Sequence, residues 1–175
     1  MKRGKKLLIN ISIIALILWG IYYFGGYYVS KEQCIKETLR GLYAYETETI
    51  MEFEDFDRGI TLLADLEKHT YSMVETKVKG FFYQAGNTMT GYSIKDDYAI
   101  DVFGMNVEKM GAAVFVYRND ESIAKVEVEL ENRDTVTLDE WNNDYAGYLQ
   151  GESEFVKGAY RAYNANDELI AEIEW

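Results

Sequence analysis

The sequence predicts a mainly β fold, an antiparallel sandwich or an open, barrel-like sheet, behind an N-terminal transmembrane helix and one short amphipathic helix. Three observations predict it. Leu7 to Val29 is a run of 23 residues without a charge. A helical apolar stripe follows it. From about Glu48 onward the apolar period is two.

As a helix, the uncharged run would be about 34 Å long at ~1.5 Å per residue, enough to cross a hydrocarbon core of about 30 Å. Leu7–Leu18 is aliphatic, whereas Trp19, Tyr22, Tyr23, Phe24, Tyr27 and Tyr28 supply the aromatic belt expected where a helix leaves lipid for headgroups. Lys2, Arg3, Lys5 and Lys6 precede the run, and the positive-inside rule puts them in the cytoplasm. A cleavable signal needs small residues in an A-x-A-like arrangement, but Leu18, Phe24 and Tyr28 stand two residues before Gly20, Gly26 and Ser30. A lipoprotein signal needs small residues before the cysteine, and Lys31, Glu32 and Gln33 precede Cys34. The expectation is therefore an uncleaved signal-anchor in the cell membrane. Residues 1–6 form a basic cytoplasmic segment, residues 7–29 a single-pass span, and residues 30–175 an extracytoplasmic, acidic, β-rich domain.

The next element is the amphipathic helix. Ser30 followed by Gln33 has the form of a capping box. Ile35, Leu39, Leu42 and Tyr43 then recur on one helical face, and the helix is expected to end near Gly41–Ala44. Beyond it, Ile60, Leu62, Ala64 and Leu66 alternate with Thr61, Asp65 and Glu67. Ala124, Val126, Val128 and Leu130 alternate with Lys125, Glu127 and Glu129, the clearest half-buried strand in the chain. Shorter strands are expected at Thr49–Glu54, Tyr71–Val78, Thr88–Lys95, Ala99–Phe103, Ala112–Arg118 and Thr135–Leu138. Gly158–Tyr163 and Glu168–Glu174 flank the turn residues Asn164-Ala165-Asn166-Asp167, a hairpin signature. Further turn signals lie at Gly86-Asn87, Asn119-Asp120, Asn132-Arg133-Asp134 and Asn142-Asn143-Asp144, and Gly104–Gly111 reads as a loop joining two halves of the sheet.

Charge narrows the function. Residues 1–29 carry +4 and the whole chain −12, so residues 30–175 carry −16. Such a domain repels phosphate backbones, which argues against nucleic-acid binding, and it steers cationic partners toward itself. With one cysteine, Cys34, the chain can form no internal disulfide. Beside Ile35 on the apolar stripe, that thiol reads as a small buried hydrophobe.

No catalytic constellation survives inspection. His69, the one histidine, sits in the polar turn Glu67-Lys68-His69-Thr70 and is expected to be exposed. Ser122-Ile123-Ala124-Lys125 matches S-x-x-K, but acyl-enzyme chemistry needs that spacing on a helix. Here it opens a strand, where residues three apart point to opposite faces. Gly91-Tyr92-Ser93-Ile94-Lys95 lacks the second glycine of a nucleophile elbow. Acidic groups at Glu52, Glu54, Asp55 and Asp57, at Asp96, Asp97 and Asp101, and at Asp139, Glu140 and Asp144 lack calcium-loop spacing and read as solvated surface. Tyr92, Tyr98, Tyr145, Tyr148, Tyr160 and Tyr163 are either strand formers or a recognition face, with strand formation the simpler reading.

The basic start, the single span, the Ser30-Lys31-Glu32-Gln33 helix start, the Ser122–Leu130 stretch and the Tyr160–Trp175 hairpin together resemble small uncharacterised membrane-anchored proteins of Gram-positive bacteria. That resemblance implies an extracytoplasmic location and no activity, and it carries no catalytic, cofactor or metal residues. The expected function is a non-enzymatic binding or interaction module. Its partners are the lipid bilayer, through residues 7–29, and a cationic peptide or another membrane protein. The alternatives are an immunity-type interceptor of cationic peptides, an accessory subunit docked through Asn10 and Ser12, and a wall hydrolase.

Overall fold

The structure is a computed structural model and describes residues 2–42, 47–130, 134–151 and 158–174. It is mainly β, with helix α1 (Lys2–Gly25) and helix α2 (Lys31–Gly41) ahead of the sheets. Within α1, Gly4–Tyr22 is long and apolar enough to cross a membrane, with mean hydropathy 1.7 and 0% of its apolar window buried. The helix begins before the uncharged run that predicts it and ends before that run does. It stops at Gly25, Gly26 takes a positive φ of 63°, and Tyr27–Tyr28 form a short strand, β1. The aromatic end of the run is thus divided between a helix terminus and a sheet edge.

α2 starts as expected. Ser30 is extended at its N-cap, and its Oγ accepts a hydrogen bond from Gln33 N at 3.2 Å. The other half of the capping box is replaced, because Gln33 Nε2 donates to the Tyr22 hydroxyl of α1. Ile35 and Leu39 are buried, as the stripe predicts, with Cys34 beside them, but Leu42 stands at the C-cap, past the last helical turn, and is exposed. The stripe's last member, Tyr43, lies outside the described residues.

Eleven further strands follow: β2 (Glu48–Asp55), β3 (Arg58–Asp65), β4 (Thr70–Lys79), β5 (Phe82–Ser93), β6 (Ile100–Val107), β7 (Gly111–Arg118), β8 (Ile123–Leu130), β9 (Thr135–Leu138), β10 (Tyr145–Gln150), β11 (Gly158–Asn164) and β12 (Leu169–Glu174). They form three antiparallel sheets, of order β1-β5-β4-β3-β2, β10-β7-β6 and β12-β11-β8-β9.

These sheets stack. On one side of the central β10-β7-β6 sheet, Phe103, Met105, Ala113, Phe115 and Tyr145 pack against Ile60, Leu62, Tyr71 and Met73 of the first sheet. On its other side, Val102, Ala112, Val114, Val116 and Tyr148 pack against Ile123, Val126, Val128 and Tyr160 of the third. A strand covered on both faces needs apolar residues at consecutive positions, and Ala112-Ala113-Val114-Phe115-Val116 supplies them. α2 closes the outer face of the first sheet, where Ile35 and Leu39 meet Leu63 and Val74.

The same covering explains where the alternation fails. β3 is buried at every position: α2 covers Leu63 on the face that alternation would leave to water, Thr61 lies against Glu52 of β2, and Asp65 is bonded by Lys68. Leu66, expected to continue the apolar face, is exposed beyond the strand end. Gly86-Asn87 is not a turn. β5 runs through it, and Gly86 leaves room for the buried Glu75 carboxylate, since a Cβ there would stand 2.3 Å from Glu75 Oε2. Nor is Gly104–Gly111 a long loop, because β6 continues to Val107 and the β6–β7 connection is a tight turn. β10 escaped the pattern altogether, its Tyr145 and Tyr148 being separated by Ala146 and Gly147. The turn expected at Asn132-Arg133 lies outside the described residues.

Candidate binding surface

β2 is an edge strand of the first sheet. Edge strands carry unpaired backbone donors and acceptors, a template for an added strand. Beside Ile50–Phe53 of β2 opens a cleft of about 610 Å³, walled opposite by Thr137–Asn142 and floored in part by Gly147. The two walls touch at one point, where Asn142 Nδ2 donates to the Ile50 carbonyl. Gly147 permits this approach, since a Cβ would lie 2.8 Å from the Phe115 ring and 3.0 Å from Met51 Sδ.

The titratable residues lining the cleft are Glu52, Asp139 and Glu140, all acids. Phe53 and Trp141 add aromatic surface. Trp141 is held in place by its Nε1, which donates to the Ala124 carbonyl at 3.0 Å, and by the Arg118 guanidinium 4.7 Å above its ring. Arg118 is held in turn by Asp144 at 2.8 Å. Such a cleft suits an extended, cationic chain: backbone pairing along β2, aromatic contact at the sides, and carboxylates for the basic groups.

A second groove, of about 550 Å³, lies between α2 and β2. Ile35, Leu39 and Leu63 form its apolar floor. Its charges largely cancel, because Lys31 of α2 bridges Glu52 at 3.0 Å and Glu54 at 2.6 Å. That double bridge clamps α2 to the edge strand.

The other residues singled out in the sequence do not converge. His69 is exposed in the β3–β4 turn with a positive φ of 51°. Ser122 sits in the turn before β8, its N–H bonded to Asp120 Oδ1, while Lys125 is engaged by Glu127 at 3.0 Å and Asp167 at 2.8 Å. Gly91 occupies an irregular stretch of β5 with a positive φ, and Tyr92 and Ser93 are exposed. The acidic groups are spent on separate bonds: Asp101, expected on a solvated surface, is instead buried as part of β6 and receives Lys95 N at 3.2 Å, while Asp144 receives Arg118. Among the described residues, no three His, Cys, Asp or Glu side chains stand where they would hold a metal ion.

A tyrosine recognition face does not form either. Tyr145, Tyr148 and Tyr160 are buried, and only Tyr92 and Tyr98 of that set are exposed. The Tyr148 and Tyr160 hydroxyls pair with each other at 3.1 Å, which is how a core accommodates phenols without orphaning them. Cys34 is buried, as its place on the stripe predicts. Sequence reading passed over Phe53 and Trp141 because their role depends on β2 meeting β9 and β10 across the fold. No signal along the chain reports that pairing. Compared with known protein families, curated proteins and solved structures, the chain matches none.

Proposed function

We propose that this chain is a single-pass membrane protein, lysine-bearing end in the cytoplasm, whose β domain works outside the cell as a non-enzymatic binding module. The observation that carries the reading is α1. Its apolar window has mean hydropathy 1.7 with 0% buried. An apolar helix whose window is left unburied by its own fold needs lipid or a partner to cover it. The cluster Lys2, Arg3, Lys5 and Lys6 sets the orientation, as the resemblance to Gram-positive anchored proteins also implies.

The favoured ligand is an extended cationic segment laid along β2 in the cleft of Glu52, Asp139, Glu140, Phe53 and Trp141. Interception of cationic peptides at the membrane is the biological form of that reading. The domain's −16 charge supports it through long-range steering.

Two measurements test it. Protease added to intact protoplasts should degrade the β domain while leaving the chain's lysine-bearing end membrane-bound. A labelled basic peptide should bind the full chain in a salt-dependent manner. Replacing Glu52, Asp139 and Glu140 with their amides should weaken that binding by about tenfold, equivalent to roughly 1.4 kcal/mol. Equal binding by the triple variant would remove the cleft from the reading.

A further inference from the structure

Two phenylalanines stand almost fully in water at adjacent hairpin tips. Phe56, 103% exposed, is in the two-residue turn between β2 and β3, and Phe81, 93% exposed, is in the turn between β4 and β5. The tips share one end of the first sheet, since Arg58 pairs with Lys77 and Val78 N donates to the Asp57 carbonyl at 2.7 Å. Two strand spacings put them about 10 Å apart across the sheet. Val29 and Val78, also exposed, lie at the same end.

This end adjoins the apolar helix. β1 follows α1 after Gly26 alone, and it pairs with the start of β5, Tyr28 opposite Tyr83. The strand therefore runs toward the Phe81 tip. The chain also folds back on the helix end. Tyr22, a turn before the end of α1, meets Tyr28 edge-on at 6.4 Å and accepts a hydrogen bond from Gln33. Helical side chains lean toward the helix N-terminus, so a contact from Tyr22 to Tyr28 requires β1 to return along the last turn. A strand returning along the span leads back toward the lipid.

We propose that Phe56 and Phe81 insert into the headgroup boundary of the bilayer that α1 spans, seating the first sheet on the membrane as a second, peripheral contact. The inference rests on the reading of α1 as a membrane span. Continuity with the helix selects the occupant, and the side chains suit it, because apolar phenylalanine rings bury at the boundary of headgroups and acyl chains. Carboxylates at Asp55 and Asp57 and ammonium groups at Lys77 and Lys79 flank the tips, so ring insertion rather than net charge supplies the attraction.

The test uses the full chain in phosphatidylcholine vesicles, with Trp19→Phe as the parent background and each variant read as its difference from that parent, in which Trp141 and Trp175 still emit. F56W and F81W each place a reporter at a tip, and Tyr98→Trp, in the β5–β6 connection beyond the far end of β5, is the control. With lipids brominated high on the acyl chain, the tip tryptophans should lose most of their emission and shift to shorter wavelength. The control should do neither. Raising the salt should leave the tip signals unchanged. If the chain stays in carbonate-washed vesicles while both tips report water as the control does, the seating is overturned and the span reading stands. Release of the chain by carbonate overturns both.

Discussion

Glu75, with none of its surface exposed, accepts a hydrogen bond from Arg58 Nη1 at 2.9 Å inside the first sheet. Its other oxygen accepts from Asn87 N at 2.8 Å, and Arg58 Nη2 reaches Glu108 at 2.8 Å near the surface. The pair ties three hairpins together: Arg58 from β2–β3, Glu75 and Asn87 from β4–β5, and Glu108 from β6–β7.

Removing one partner should therefore cost far more than removing both. Arg58→Met leaves the buried carboxylate with Lys77 at 3.4 Å and Asn87 N in place of its closest cation, so the loss should fall at or below the lower end of the about 3–5 kcal/mol that breaking a buried pair costs. The double variant with Glu75→Leu should recover much of that loss without reaching the parent, because Asn87 N–H then lacks its acceptor, at about 1–3 kcal/mol. Urea unfolding midpoints of the two singles and the double give the coupling. Additive losses would show that the pair does not act as a unit.

Gly111 should tolerate no side chain. Its φ is 93°, and a Cβ would lie 1.9 Å from the Gln150 carbonyl oxygen, a backbone atom of the neighbouring β10. Gly111→Ala combines strain of about 1–3 kcal/mol with displacement of the β7–β10 pairing. The loss should appear as a lowered unfolding midpoint and as faster amide exchange along β10. Gly151→Ala, where a Cβ meets open space, serves as the neutral comparison.

These sites show what the chain sequence reveals and what it conceals. The Ser30 cap, the α2 stripe and the Val126–Val128 alternation are local patterns, and the fold follows them. The β11–β12 hairpin falls where Asn164–Asp167 put it, since Asn164 Oδ1 accepts from both Asn166 N and Glu168 N. What failed depends on distant neighbours. Gly86 looks like a turn because the carboxylate it accommodates is on another strand. Thr61 looks solvated because the Glu52 carboxylate that accepts from its hydroxyl is on another strand. The cleft is concealed for the same reason, its walls being β2 and the segment before β10.

Ser30→Ala should loosen the junction between α1 and the sheets. The lost N-cap costs about 0.5–2 kcal/mol of local helix stability. Its effect should spread further, because Lys31 clamps Glu52 and Glu54, and Gln33 holds Tyr22, from the first turn of α2. Hydrogen exchange should quicken through α2 and at β1 while the third sheet stays protected. Unchanged exchange at β1 would mean the helix start does not hold the junction.

Alkaline solution should destabilise the domain through its buried thiol and phenols. Burial pushes the Cys34 thiol from 9.0 up to about 11, although a hydrogen bond with Thr38 opposes the shift. Burial, then the Asp101 carboxylate, pushes Tyr71 from 10.0 up to about 12. Tyr145 and Tyr160 are raised in the same direction, chiefly by burial. In each case the neutral form is favoured by folding. The unfolded chain releases its protons first, so this stability is complete below the ordinary values and drains away as the pH climbs through the folded ones. Urea midpoints should hold steady up to about pH 8 and fall continuously toward about pH 11. Phenolate absorbance from the buried Tyr71, Tyr145 and Tyr160 should rise only as unfolding begins. Cys34→Ala should soften the lower part of that fall, and a midpoint flat through the whole range would contradict the burial of these groups.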